Sequence, residues 1–361
     1  MALHLRHLWL TDYRSYESAD VTLPGGTTAI IGRNGQGKTN LLEAVAHLAG
    51  SSLRGATTEA MVRTGAERAV VRAEAVRGPR ELLVEAEIAA RGRSRMQLNR
   101  QPVKRRRDLL DALSVTLFSP DDLVLVKGGP GERRRWLDEA AVGLDHQTEG
   151  VRSDVERILK QRNALLKQSR GRLDEAAALT LDVWDDRLTR AGEALAERRA
   201  AALAELVPRL TEAYRDLAGI ALPVSATYDA PWRTTGLAAA LADVRDQDLR
   251  RGVTTVGPHR DEVVFGIDDL PARTHASQGE QRSLALAMRL AVHRAITETS
   301  GESPILLLDD VLSELDGGRT EALLAHLPPG QTLLTTAGPL PQQTEPELVL
   351  RVADGRIAPD A

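Results

Sequence analysis

Apolar and polar positions come in short alternating or continuous blocks over the first hundred residues, change to a helical repeat in the middle of the chain, and return to blocks near its end. Residues 3–10, L-H-L-R-H-L-W-L, and V-T-L at 21–23 predict paired edge strands joined through a polar turn. T-T-A-I-I follows as a continuous apolar run, which predicts a buried strand, and leads through G-R-N-G-Q-G-K-T-N into the helical pattern L-L-E-A-V-A-H-L-A. Between about 66 and 103 the alternation in A-V-V-R-A-E-A-V and L-L-V-E-A-E-I predicts an antiparallel sheet with N-R-Q as a tight turn, and the short apolar run V-T-L-F stops at Ser119-Pro120.

From about 132 to 219 the chain is rich in Ala, Leu, Glu and Arg at helical spacing, with Pro208 and Gly219 as punctuation. Residues 173–207 alone predict an arm roughly 50 Å long at 1.5 Å per residue. Strand-like sequence resumes near 221, and P-I-L-L-L-D-D followed by Q-T-L-L-T-T-A predicts an α/β portion that closes the core. The pattern assigns 1–130 and 252–361 to a core lobe, with 276–283 bordering the second lobe, and 131–251 to a helical lobe and arm. Nothing repeats at a fixed period.

Composition narrows the chemistry. The 361 residues are 42% hydrophobic but only 3% aromatic, so the core must be built from Leu, Val, Ile and Ala. Cysteine is absent, which excludes disulfides, thiolate metal sites, iron–sulfur clusters and a cysteine nucleophile. The N-terminus M-A-L-H-L-R-H-L lacks the pattern of an export signal, and no apolar run approaches the ~18 residues of a membrane span, so a cytoplasmic protein is expected. A net charge of −4 argues weakly against a nucleic-acid partner. Yet residues 91–107 hold eight basic side chains and no acidic one, so Arg91, Arg93, Arg95, Lys104, Arg105, Arg106 and Arg107 could present a local positive surface to phosphates. A solvated hairpin is the plainer alternative.

Gly32 to Thr39, G-R-N-G-Q-G-K-T, fits G-x-x-x-x-G-K-[ST] between a strand and a helix. In that context the backbone of Gly32, Arg33, Asn34, Gly35, Gln36 and Gly37 converges on a phosphate, with Asn40 beside it. Lys38 would neutralise the β/γ oxygens of ATP, and the Thr39 hydroxyl would ligate Mg²⁺. A second ligand is required, and the apolar strand ending in Asp309-Asp310 supplies it: Asp309 for the metal, Asp310 to orient or deprotonate water.

Ser277-Gln278-Gly279-Glu280-Gln281, upstream of those acids, is similar to the composite signature of the ABC ATPase superfamily. That resemblance implies a loop in which Ser277, Gly279 and Gln281 serve the γ-phosphate held by another subunit, so that Ser277 joins Lys38, Asp309 and Asp310 in catalysis. The same five residues also read as a helix capping box, and both readings hold together. Ser313-Glu314-Leu315-Asp316 matches the superfamily's S-x-L-D element at the dimer seam.

Five further blocks resemble the RecF family of bacterial recombination mediators, related to SMC and Rad50 heads: D-Y-R-S-Y (12–16), L-F-S-P-D-D-L-V-L-V-K-G-G-P-G-E-R-R-R-W-L-D (117–138), Q-R-N-A-L-L-K (161–167), G-P-H-R-D (257–261) and L-L-L-D-D-V-L-S-E-L-D. The resemblance implies an α/β ABC-type, Rad50/SMC-like P-loop ATPase head with an antiparallel β subdomain and a mainly helical second lobe. It further implies ATP-dependent homodimerisation, slow DNA-stimulated ATP hydrolysis, binding to duplexes and single-strand/duplex gaps, and delivery of RecA with RecR and RecO in repair, replication and the SOS response. A nucleoid-associated location goes with it.

Several positions depart from the transporter type. Asp310 stands where Glu is usual, and Thr335 or Thr336 where a His follows the next strand. No Gln is evident to bridge metal and lobe, which leaves Asp121 or Asp122 open. These departures and the basic hairpin weigh against the rival reading, an ATPase subunit energising a membrane transporter; a non-hydrolysing ATP-dependent scaffold is the third. Arg14 is matched to a position near the phosphates in related heads. His259 and Arg260 would fix the lobe or meet nucleic acid, and Arg133 to Arg135 would face phosphate or pair with Asp138 and Glu139.

Overall fold

The computed structural model describes residues 3–51 and 57–360, so Met1 and Ala2 of the expected unsignalled N-terminus lie outside the described residues. The chain forms two compact units, one of residues 1–122, 212–221 and 283–361, the other of 123–211 and 222–282. Against the expected division, residues 252–282 fall with the helical unit. The reason is strand pairing: Glu262–Ile267 pairs antiparallel with Val224–Asp229, so the segment has no place in the core sheets.

The first unit holds two six-stranded sheets. One is antiparallel, in the order Tyr16–Thr22, His4–Tyr13, Arg68–Arg77, Arg80–Ala89, Arg95–Leu98, Gln101–Pro102. His4–Tyr13 is therefore internal, not an edge strand as expected, since it pairs with Tyr16–Thr22 on one side and Arg68–Arg77 on the other. Period-two burial of Ala69, Val71, Ala73 and Ala75 marks the face that packs inward. Asn99 and Arg100, with φ of 50° and 65°, make the tight turn predicted for N-R-Q.

The second sheet runs Arg356–Pro359, Leu348–Ala353, Thr27–Ile31, Thr332–Thr336, Ile305–Asp309, Val115–Phe118. It is parallel apart from Arg356–Pro359, and Thr332–Thr336 and Ile305–Asp309 are buried at every position, as strands covered on both faces must be. The helix Lys38–Leu48 contributes Leu41, Leu42 and Val45 to one core with Leu8, Leu10 and Val71 of the antiparallel sheet and Leu307 and Leu333 of the parallel one. Burial on both flanks fixes that helix, and with it the loop that precedes it.

The second unit is mainly helical, with Pro130–Leu144, Thr148–Ser169 and most of Glu175–Ala218, and a three-stranded sheet containing Val224–Asp229 and Glu262–Ile267. Leu188, Leu195, Val155 and Trp232 form its core. Glu175–Ala218 runs straight through Pro208, which was expected to end the arm, and its 44 residues extend roughly 66 Å. Leu206, Leu210, Ala213, Tyr214 and Leu217 are buried at helical spacing across the proline, so side-chain packing outweighs the backbone hydrogen bond that Pro208 cannot make. Gly219, with φ 66°, ends the helix as expected.

Candidate nucleotide site and signature loop

The strand Thr27–Ile31 delivers the glycine loop and the helix Lys38–Leu48 receives it. Gly37 caps that helix with φ 112° and no side-chain hydrogen bond; the Asn40 N–H donates to the Gly37 carbonyl at 3.0 Å, and the Lys38 and Thr39 N–H groups at the helix start suit an outside acceptor. A Cβ on Gly37 would stand 2.5 Å from Ser15 Oγ, and one on Gly32 2.4 Å from the Val352 carbonyl, so both positions demand glycine by space as well as by φ. Arg33, Asn34 and Gly35 form the exposed crest, while Gln36 accepts a hydrogen bond from the Asp354 N–H at 2.5 Å. Lys38 is buried, and its ammonium bridges the carbonyls of Gly32 (2.8 Å) and Arg33 (3.1 Å).

The sheet order brings Asp309 to this loop. The Thr39 hydroxyl donates to Asp309 Oδ1 at 2.7 Å. Neighbouring oxygens around a magnesium ion with bonds of 2.0–2.1 Å lie about 2.9 Å apart, so the hydroxyl and carboxylate fit a small hard cation. Asp310 follows in the left-handed conformation (φ 51°, ψ 26°), and its Oδ1 is buried with no hydrogen-bond partner. No group of three or more His, Asp or Glu residues forms a separate metal cluster among the described residues.

Three consecutive residues of D-Y-R-S-Y clip the loop and its helix. Tyr16 donates its hydroxyl to the Gly37 carbonyl at 2.8 Å, Ser15 Oγ accepts from Asn40 at 3.0 Å, and Arg14 binds both oxygens of Glu43 at 2.6 Å each. Arg14 was expected at the phosphates. Instead each of its three guanidinium nitrogens donates within the protein, the third to the Ala60 carbonyl, and hydrogen bonding to buried Glu43 raises its pKa further. These bonds tie Arg14 to the helix Lys38–Leu48 through Glu43. The block is legible in the sequence, but its partners, Gly37, Asn40 and Glu43 at intervals of three residues over the helix start, are not.

In the second unit, Ser277 is exposed at the start of the helix Gln278–Ser300. The Glu280 carboxylate accepts from the Ser277 N–H at 2.7 Å and Ser277 Oγ accepts from the Glu280 N–H at 3.3 Å, so the capping box is formed and holds the serine at the surface. Gly279 is half-buried beside it. Gln281, expected at the nucleotide, is instead buried, and its amide donates to the carbonyls of Ala272 (3.2 Å) and Arg273 (3.3 Å). The fourth residue of the helix points back at the preceding turn and stabilises the loop from behind.

Asp122, one candidate for a metal bridge, accepts from the Ser119 N–H and from Arg289 Nη2 at 2.8 Å, tying Gln278–Ser300 to the end of the strand beside the acids. Asp316 caps the next helix by accepting from the Arg319 N–H, which together with the Arg319 charge lowers its pKa. The Thr335 hydroxyl contacts both acids, a role that strand periodicity alone did not reveal. Thr336 instead turns to the loop, accepting from the Gly338 N–H.

The remaining basic residues divide cleanly. Arg133 is buried and pairs with both oxygens of Glu262, Arg134 donates to the Asp261 carbonyl, and Arg135 pairs with Glu132, while Asp138 pairs with Arg199. His259 and Arg260 both reach the Thr254 carbonyl, and burial pushes the histidine pKa down to about 4. These two fix their own loop. Arg91, Arg93, Arg95, Lys104, Arg105, Arg106 and Arg107 are all exposed on the antiparallel sheet and the segment after it, and Arg106 also donates to the Gly50 carbonyl. Arg91, Arg93 and Arg95 line an open cleft of about 600 Å³ together with Glu59, Glu67 and Glu87.

A phosphate loop between a parallel sheet and an antiparallel one, acids on the strand two places away, and a capped serine before a long helix define an SMC-type P-loop ATPase head. Residues 4–332 match the RecF/RecN/SMC N terminal domain. Relatives named DNA replication and repair protein RecF are 44% identical in Streptomyces avermitilis over 351 residues and 43% in Kineococcus radiotolerans over 362, with 93% of each chain covered. A solved structure described as the recombination mediator protein RecF with ATP in the RecFOR pathway superposes with a TM-score of 0.91 at 26% identity, covering 100% of this chain and 98% of the other. The Smc head domain of Pyrococcus furiosus shares the fold, with a TM-score of 0.57 at 16% identity over 99% of this chain and 96% of the other. The chain belongs to the RecF family.

Proposed function

We propose that this protein is an ATP-gated, DNA-binding dimer of recombinational repair, in which two copies close on DNA with ATP and release it on hydrolysis. The observation that carries the reading is the 2.7 Å contact between Thr39 and Asp309, which supports a divalent cation at the end of a phosphate loop. Thr39 and Asp309 would hold Mg²⁺, whose charge offsets that of the β- and γ-phosphates. Lys38 and the first-turn N–H groups of Lys38–Leu48 bind the phosphates, and Asp310 orients or deprotonates water. An aspartate reaches less far than a glutamate, so turnover is expected well below one per second.

Ser277, exposed on a capped helix start, seals the γ-phosphate held by the second copy. Nucleotide bound at such a seam shifts the monomer–dimer balance by mass action. The basic residues at 91–107 meet DNA phosphates, which makes binding salt-dependent and indifferent to base sequence. Relatives named for DNA replication and repair, and a neighbour described within the RecFOR pathway, support delivery of RecA to gapped DNA with RecR and RecO, and a place at the nucleoid. No helix among the described residues is long and apolar enough to cross a membrane, and no observation favours a transporter subunit.

Sedimentation with ATP, with ADP and without nucleotide, each with and without duplex DNA, tests the mechanism. Dimer only with ATP is expected, and a monomer in every condition overturns it. Phosphate release from the unaltered protein and from Lys38→Arg separates an ATPase from a scaffold, because equal and negligible release in both defines the scaffold.

A further inference from the structure

We infer that Thr335 is a positioning residue that presets both acids of the ATP site, a role that rests on the nucleotide reading above. Thr332–Thr336 lies between the strand that feeds the phosphate loop and the strand that ends in the acids. In that register Thr335 is opposite Asp309 on one side and Ile30 on the other, and it is 1% exposed.

The direction of each hydrogen bond follows from chemistry. The Asp310 N–H can only donate, so the Thr335 oxygen accepts from it at 2.8 Å. The hydroxyl proton is then left for Asp309 Oδ1 at 3.0 Å, the Leu308 carbonyl being farther away at 3.5 Å. Asp309 Oδ1 also accepts from Thr39, so two hydroxyls, one from a strand and one from the helix after the phosphate loop, orient one carboxylate. Through the Asp310 N–H the same side chain anchors a residue in the left-handed region, which a non-glycine enters only when its surroundings hold it there. That conformation aims the Asp310 carboxylate, whose Oδ1 is buried without a partner. One hydroxyl therefore sets the orientation of the metal ligand and the backbone of the acid beside it.

The hydroxyl is separable from the shape of the side chain, because valine is isosteric with threonine and equally suited to a buried strand. The test titrates a fluorescent ATP analogue into each variant with and without magnesium chloride. Loss of a hydrogen-bond partner behind a metal ligand costs on the order of 10-fold in metal-dependent affinity. Thr335→Val is expected to lose that factor for the magnesium complex while keeping metal-free affinity within about 2-fold. Thr335→Ser, which keeps the hydroxyl, is expected to bind both forms as the unaltered protein does.

A Val variant that binds the magnesium complex undiminished overturns the inference. So does a Ser variant that loses as much as Val, since the methyl group would then be what matters. Should the Val variant not fold, Thr335→Ala makes the same comparison, and the Ser variant alone must still retain the magnesium response. If the unaltered protein binds the analogue in neither condition, the nucleotide reading itself fails, and this outcome is distinguishable because it does not depend on any substitution.

Discussion

The Thr39 hydroxyl and Asp309 Oδ1 meet at 2.7 Å although 270 positions separate them in the chain. Asp309 ends one strand of the parallel sheet and Thr39 opens the helix that follows another, and the order of strands in that sheet makes them neighbours. The contact joins the glycine loop's helix to a carboxylate, at the place where the proposed triphosphate and its cation would meet.

Asp310→Asn keeps the size and the backbone anchor of this residue but removes its basicity. It should leave ATP affinity and ATP-driven dimerisation intact while lowering phosphate release by roughly 10²–10⁴-fold, measured under single-turnover conditions. Equal release from the variant would assign water activation elsewhere.

Ser277 has two roles that different substitutions separate. Aspartate caps a helix as well as serine does, so Ser277→Asp should leave the melting temperature unchanged, whereas Ser277→Ala should cost about 1 kcal/mol. At a seam facing a γ-phosphate the added carboxylate repels, so Ser277→Asp should abolish ATP-dependent dimerisation in sedimentation. A dimer that persists would place Ser277 outside the seam.

Arg14 and Glu43 form a pair in which the carboxylate is 3% exposed. Removing one partner of a buried pair strands the other charge, so Arg14→Met should destabilise the protein by about 2–4 kcal/mol. The double variant Arg14→Met/Glu43→Met should recover most of that loss in denaturant unfolding. A single variant as stable as the double one would show the pair to be dispensable for the helix it holds.

Exposed Arg91, Arg93 and Arg95 carry no buried function, so replacing all three by Ala should spare stability and ATP binding. If they meet DNA, affinity should fall and the slope of log affinity against log salt should flatten by about 0.9 per lost phosphate contact. An unchanged slope in a fluorescence-anisotropy titration would move the DNA surface elsewhere.

Two histidines predict a pH response. Burial pushes both His293 and His259 down to about 4, whereas an unfolded histidine titrates near 6.5. The unfolded chain therefore binds more protons between these values. Stability is fully present above pH 6.5 and declines as pH falls toward 4, by at most roughly 2 kcal/mol per histidine at pH 5. The denaturant midpoint should drop between pH 7 and pH 5, and His293→Met should flatten that drop; a slope indifferent to the substitution would exclude the histidine.

The glycine loop, the acidic strand end and the capping box were legible because each is contiguous and depends on the geometry of a single junction. Pro208 misled because helix-breaking is a local cost, while the buried face of Glu175–Ala218 belongs to packing on both sides of it. Arg14 and Gln281 misled differently: their residue types suit a nucleotide, but Glu43 and the carbonyls of Ala272 and Arg273 claim them first.

By itself the sequence determined the chemistry available: a phosphate cradle, a hydroxyl and carboxylates for a cation, a capped serine, a run of cations and no thiol. Local periodicity and steric limits on glycine are enough for that. The tertiary structure decided which of these groups meet. Sheet order set Thr335 between the cradle and the acids, and strand pairing sent residues 252–282 to the helical unit. Such pairings rest on which apolar faces bury one another across hundreds of residues, a choice that no short stretch of sequence contains.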